Sequence, residues 1–352
     1  MDIDPTVLPK SPSPEGKRGI AEVARLAGVA PITVSRVLNN PETVSEATRS
    51  VVQAAIAKIG YIPNRVAGNL ASSRSKTIGL ILPHIGNSTF AEHVRGMTDV
   101  LSTHGYNVLV ALTNYSHEEE LRHVLSFVGQ RVAGLSLTGS SHADRARSLL
   151  KNAGIPVVEV SSVDLPAMDM LVGFSNESAA YAMVEYLSTC GYRKIGLISA
   201  PAAQNDRAAA RQAGYRAAVD ALGLAQDANL VIEVEAGFAS GATAFVQLLS
   251  RHPDLEVVIC TNDSLAIGCM LEARRRSILV PKDIGIAGFD DTALARAFVP
   301  ALTTVKVQHY EIGATAARLL LERIENPDAA PRTVDLGFQI VPRESTRAPG
   351  SR

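Results

Sequence analysis

The sequence predicts an α/β protein: a small all-α head in front of a larger body of parallel sheets. Three observations predict it. Hydrophobic residues recur at helical spacing up to residue 62, β-rich runs alternate with helical segments from about residue 77, and basic charge collects in the first of these regions. A chain of 352 residues exceeds one ordinary core, so two or three domains are expected. Hydrophobic residues make up 46%, aromatics only 5%, and there is no Trp. Such Ala, Val, Ile and Leu richness suits helices packed on parallel strands.

Residues 1–17 read as a disordered tail, with Pro5, Pro9, Pro12 and Pro14 breaking any helix. A helical domain is expected over 18–62. Its first helix begins at Ile20, places Val23, Ala24 and Ala27 on one side and stops at Gly28. A second spans 31–38, with Pro31 in the first turn, where proline is tolerated. A third spans 46–59, with Val51, Val52, Ala55, Ile56 and Ile59 at helical spacing, closed by Gly60. A linker is expected over 63–76, a two-lobed body over 77–345 and a short tail over 346–352. In the body the β-rich runs fall at 78–82, 107–112, 134–137, 157–160, 195–199, 257–260 and 284–287. Strand–helix–strand repetition implies parallel sheets covered on both faces; the two groups of strands imply two similar lobes.

Between Lys17 and Lys76 nine basic residues face three acidic ones, a charge of +6; the whole chain carries −1, so the remainder carries −7. A basic helical head on an acidic body fits a DNA reader joined to a sensor. Cys190, Cys260 and Cys269 are odd in number and form no CxxC, which argues against a disulfide framework or zinc cluster. The first residues lack the apolar run of a secretory signal, and no stretch approaches the ~18 apolar residues of a membrane helix. The expectation is a soluble, cytoplasmic protein. No P-loop, HExxH or GxSxG occurs, so no enzyme and no cofactor is expected. His117 and His123 are expected on a solvated helix face.

The segment from Ile20 to Asn39 has helix-turn-helix spacing. Ala24 is small enough for a close crossing, Gly28 supplies a left-handed turn, and Val29 and Val34 fill the angle. Pro31, Ile32, Thr33, Ser35 and Arg36 then face outward, where this motif meets the major groove. Arg36 suits a guanine edge or a phosphate, and Ile32 suits a thymine methyl.

The stretches Val23–Val29, Thr33–Asn39, Gly60–Ala67, Thr77–Ile81, Ala266–Gly268, Gly288–Asp290 and Pro300–Thr304 resemble the LacI/GalR family of bacterial regulators, nearest its gluconate-type branch. The resemblance implies a two-lobed periplasmic-binding-protein-like body. It adds Asn39, Asn64, Arg65 and Leu70 to the DNA-contacting set. The stretch 64–72 would order on the operator, with Leu70 wedged into the minor groove. One departure stands out: Ala30 occupies a position where the family usually has Ser or Thr, which removes a helix cap.

The same resemblance places a ligand in the crevice between the lobes. It points to Phe90, Arg211, Phe238 and Asp263, with Arg207 and Asn262 beside them and Asn205 less surely. Each of the four has an ordinary structural reading too. Phe90 and Phe238 suit a core, Arg211 a bridge between lobes, and Asp263 a helix cap. Many sugar-binding relatives carry an aspartate where this chain has Ser161, and losing that carboxylate favours an anionic ligand. The expected function is a transcription regulator, in the repressor sense. A sugar acid such as gluconate or 2-ketogluconate would control it, with a neutral sugar or purine as the alternative. A solute-binding protein without regulatory role is the rival of a different class. The partners expected are palindromic double-stranded operator DNA and a second copy of the chain. A homodimer is favoured over a tetramer because the end of the chain carries no leucine heptads.

Overall fold

The computed structural model describes residues 19–62, 75–86 and 88–350, apart from the side chains of Asn39 and Ser88. The expected tail at 1–17 and the contacts assigned to Asn64, Arg65 and Leu70 lie outside the described residues, as does the Asn39 side chain. The chain divides into two compact units between Ser73 and Arg74.

The first unit is helical: α1 (Ile20–Ala27), α2 (Pro31–Asn39) and α3 (Glu46–Ile59). Gly28 ends α1 at φ +67, a left-handed conformation that costs glycine least. Ser45 caps α3 by accepting from the Thr48 amide, and Gly60 closes it at φ +62. Val23, Ala24, Val34, Val37, Val52 and Ala55 form the shared core. Ala24 and Val34 lie where the helical period put them, at the crossing of α1 and α2.

The second unit has two lobes, each built on a six-stranded sheet. The first lobe contains β1 (Thr77–Leu82), β2 (Asn107–Leu112), β3 (Gly134–Thr138), β4 (Val157–Val160), β5 (Met170–Gly173) and the late strand β11 (Thr333–Asp335). Its strand order is β11-β5-β4-β3-β1-β2, all parallel. Helices α4 (Ser88–Thr103), α5 (His117–Gly129) and α6 (Asp144–Ala153) connect its strands.

The second lobe contains β6 (Ile195–Ser199), β7 (Val231–Glu233), β8 (Val257–Cys260), β9 (Gly285–Asp290), β10 (Thr303–Lys306) and β12 (Gln339–Val341). Its order is β12-β10-β9-β8-β6-β7, and β12 runs antiparallel to β10. Helices α7 (Asn176–Thr189), α8 (Asp206–Ala221), α9 (Phe238–Arg251), α10 (Asp263–Arg275) and the short α11 (Ala293–Ala297) belong here. Helix α12 (His309–Glu325) follows β10 yet packs on α4, β4 and β5 of the first lobe. The chain therefore crosses between lobes three times: before α7, before α12, and between β11 and β12.

Strands β5, β7, β10, β11 and β12 were not among the expected runs. Each has only three or four residues. The β-rich runs that were legible, such as Val157–Val160 and Val257–Cys260, are buried throughout, as a parallel sheet covered on both faces requires. Ser345 and Thr346 are buried, and Thr303 bonds to both, so packing continues to the far end of the expected body.

Three helix pairs cross at glycine. A Cβ at Gly96 of α4 would strike the Tyr310 carbonyl of α12, and one at Gly214 of α8 the Glu177 carbonyl of α7. In the third pair the contact is reciprocal: Gly241 of α9 sits on the Leu265 carbonyl, and Gly268 of α10 on that of Phe238. Backbone meets backbone there, so no flexible side chain can yield. Gly268→Ala should lower the stability of the body by about 1–3 kcal/mol, read as a lower midpoint in urea with an unchanged slope. An unshifted midpoint would contradict the close crossing.

Candidate functional site

In the helical unit, Ile32 is 59% exposed although its neighbours Val34 and Val37 are buried. Pro31 and Arg36 are exposed, and Thr33 and Ser35 half-buried. These five residues occupy one side of α2, beginning at its N-terminus. The first turn carries no acidic residue, which leaves the positive end of the helix unopposed. At Ala30 no side chain caps α2, and the turn is closed by the Thr33 and Val34 amides, which donate to the Ala30 carbonyl at 2.9 and 3.3 Å.

In the two-lobed unit, the carboxyl ends of the strands face a crevice that is open to solvent, the place where sheets of this kind bind ligands. The first lobe contributes His84, Phe90, His93, Tyr115 and Ser161. His84 stands edge-on to Phe90, with ring centroids 5.0 Å apart. The second lobe contributes Asn205, Arg207, Arg211, Asn262 and Asp290. His309, at the start of α12, completes the wall.

Arg211 is held on three sides. Its Nε donates to Asn176 Oδ1 at 2.9 Å, its Nη1 donates to the Thr261 carbonyl at 2.5 Å, and its guanidinium lies 3.7 Å from the centroid of Phe289. Burial lowers its pKa, and the nearby Asp290 carboxylate opposes that shift. Arg207 Nη1 donates to Asp206 Oδ1 at 2.9 Å. Asn205 caps α8 and Asn262 caps α10, so each side-chain oxygen is already engaged by a backbone amide. His93 is pushed down to about 3, by burial first and then by His309, and is therefore neutral. The pKa of His84 is lowered by burial and by Arg207.

Thus Phe90, Arg207, Arg211, Asn205 and Asn262 come together in the crevice. Phe238 is 47% exposed and lines an outer, wider space with Glu235 and Tyr115 rather than the inner one. Asp263 stands apart from both. It is buried, Oδ2 accepts from the Thr292 amide and Oδ1 from Thr304 Oγ1, each at 2.7 Å. The cap considered for Asp263 is made by Asn262, one residue earlier. The carboxylate facing the crevice is Asp290. It ends the Gly288–Phe–Asp motif, and its φ of +115, followed by Asp291 at +55, is the kind of backbone strain found at binding sites. The motif was legible; which of its residues turned inward was not. His117 and His123 also depart from expectation. Both are half-buried because α5 starts at the rim of the crevice: the His117 amide donates to Gln204 Oε1 across it, and His123 Nε2 donates to the Leu112 carbonyl at 3.0 Å.

A helix-turn-helix head followed by a two-lobed binding body defines a ligand-controlled DNA-binding regulator. Residues 19–64 match the bacterial regulatory proteins of the lacI family, and residues 184–346 a periplasmic binding protein-like domain. The HTH-type transcriptional regulator GntR of Escherichia coli (strain K12) is 36% identical over 323 residues, 92% of this chain and 97% of the relative. A LacI-family transcriptional regulator from Silicibacter pomeroyi is similar in structure, with a TM-score of 0.86, 32% identity, and coverage of 94% of this chain and 99% of that one. The lac repressor dimer, solved bound to operator and the anti-inducer ONPF, gives 0.82 at 27% identity, over 94% of this chain and 99% of that one. The chain belongs to the LacI family of bacterial transcriptional regulators. It is a DNA-binding regulator and not an enzyme, as these relatives are. Among the described residues no helix is long and apolar enough to cross a membrane.

Two outcomes follow from the local geometry. Ala30→Ser restores a cap to α2 and should stabilise the head by about 1 kcal/mol, seen as a higher unfolding midpoint of that unit. Asp263 is raised to about 7, by burial and then by Asp290. Its folded pKa lies above its unfolded one, so the protonated form favours folding at low pH, and that contribution is lost as pH rises through about 7. Asp263→Asn should therefore flatten the fall in thermal midpoint between pH 4 and 7; parallel pH curves for the two proteins would refute this.

Proposed function

We propose that the chain represses transcription from a palindromic operator as a homodimer, and that a sugar acid bound in the crevice controls it. The observation that carries the ligand reading is the charge of the inner wall. Arg207 and Arg211 line it, while Asp290 is the one carboxylate among its described lining residues. His93 adds no charge because burial keeps it neutral. A buried guanidinium with spare donors favours an anionic partner. Ser161, which lines the same cavity where many sugar-binding relatives carry an aspartate, leaves that surplus positive. Asp290, Asn205 and the ring nitrogens of His84 and His309 offer partners for hydroxyl groups. Gluconate and 2-ketogluconate combine a carboxylate with a polyol and fit this set; the sequence's likeness to the gluconate-type branch supports the same choice.

On the DNA side, the assigned contacts are Pro31, Ile32, Thr33, Ser35 and Arg36 on α2, with Asn39, Asn64, Arg65 and Leu70 from positions outside the described side chains. A two-fold operator needs two heads, so pairing of bodies sets half-site spacing. Ligand then acts by preferring one arrangement of the lobes over the other.

Fluorescence anisotropy on the chain's own upstream promoter, at fixed salt, tests both halves. Tight binding altered by gluconate or 2-ketogluconate is expected. In calorimetry Arg207→Leu should weaken gluconate binding by about 1.5–3 kcal/mol, the scale of a charge-assisted hydrogen bond. Neutral sugars or purines binding tightly, with aldonates not binding at all, would dismiss the sugar-acid reading and leave the regulator intact.

A further inference from the structure

The loop after β3 carries a close contact between the lobes. Gly139 has φ +84, and a Cβ there would run into Asp206 and Arg207 at the start of α8. The next amide, Ser140 N, donates to Asp206 Oδ2 at 2.7 Å. The other oxygen of Asp206 accepts from Arg207 Nη1, whose side chain lines the ligand cavity. Asp206 thus grips the first lobe with one oxygen and holds the crevice arginine with the other.

Two residues further on, the His142 side chain is fully buried between two carboxylates. Its Nδ1 lies 2.9 Å from Glu120 of α5, and its Nε2 3.2 Å from Glu159 Oε1 of β4. Neither His142 nor Glu159 nor Glu120 lines the inner ligand cavity. Glu159 Oε2 is further fixed by accepting from the Met168 amide. Burial opposes an imidazolium here, yet the two carboxylates outweigh it and raise His142 to about 9. The other charged or titratable groups near this cluster are Asp144 and Arg147 of α6, with Arg147 donating to the Ser140 carbonyl. His117, Asp206 and Arg207 join Glu120 around a separate, small polar space. Without a cation between them, Glu120 and Glu159 would be buried charges lacking a counter-charge, which a fold tolerates badly.

We propose that His142 is a positioning residue for effector binding: clamped between Glu120 and Glu159, it holds the Gly139–Ser140 turn where Asp206 receives it, and so sets Arg207 at the cavity. The effector half of this rests on the sugar-acid reading above; the clamp itself does not.

Hydrogen exchange of the full chain, followed at the Ser140 amide, tests the clamp without any ligand. In His142→Gln and in Asp206→Asn that amide should exchange about tenfold faster at pH 7, as a locally opened segment does. In the wild type its protection, corrected for intrinsic rate, should hold at neutral pH and fall as pH rises through about 9, because the raised pKa makes the imidazolium's contribution one that is lost on deprotonation. Glu159→Gln should move that midpoint to lower pH. Unchanged Ser140 exchange in a folded His142→Gln protein would overturn the proposal. If that variant fails to fold, an unmoved midpoint in Glu159→Gln would overturn it instead. Gluconate affinity supplies the second arm: His142→Gln should bind about tenfold more weakly than wild type, and equal affinity would remove His142 from effector binding. A wild type that binds no gluconate would sink the ligand reading, while the exchange results would still decide the clamp.

Discussion

The Arg211 guanidinium is where the second lobe's parts meet. It joins Asn176 at the first crossover, the Thr261 carbonyl past the end of β8, and the ring of Phe289 in β9. Phe289 in turn lies 6.0 Å from Phe174, the residue that leads into that crossover. A cation removed from water needs partners on every side, and three chain segments converge because each supplies one. The same desolvation makes the crevice electrically unfinished. Arg211 has Asp290 nearby, but Arg207 is turned toward Asp206, and little negative charge remains for the cavity itself. The structure and the proposed ligand preference thus share one cause.

Around this centre, the lobes are kept apart in composition but joined in packing. One continuous apolar cluster contains Val158 and Met183, Ile195 and Ile312, residues from both sides of the crossovers. The helix pairs meet at glycine, which brings their backbones closer than side chains would allow. Across the crevice the lobes also meet through polar contacts, among them Ser140 with Asp206 and His117 with Gln204.

The head was legible almost to the residue, because a short helix pair repeats few patterns: α3 falls where the period of Val52, Ala55 and Ile59 put it, and Gly28 and Gly60 end helices as expected. The long apolar strands were legible for the same reason. What escaped was anything set by tertiary direction. Asp263 follows the end of β8 and Asp290 ends β9, and nothing local distinguishes the one that turns into a threonine-lined interior from the one that turns toward the crevice. The cluster of Glu120, His142 and Glu159 gathers residues up to 39 positions apart from three separate elements, so no spacing announces it. The short strands β11 and β12 depend on neighbours laid down more than 150 residues earlier in one case.

The three crossings have a consequence for how the molecule is made. The first lobe lacks an edge strand until residue 335 exists, and its helical cover α12, with Ile312, Leu319 and Leu320 in the core, begins only at His309. A ribosome will have delivered every strand of the second lobe except β12 before the first can close. The helical head needs nothing beyond its own residues to bury Val23, Val34 and Val52. Vectorial synthesis should therefore present a finished DNA-reading head on an unfinished sensor. For that interval the nascent chain exposes two open sheets at once, with the longest sequence separations in the protein still to be bridged.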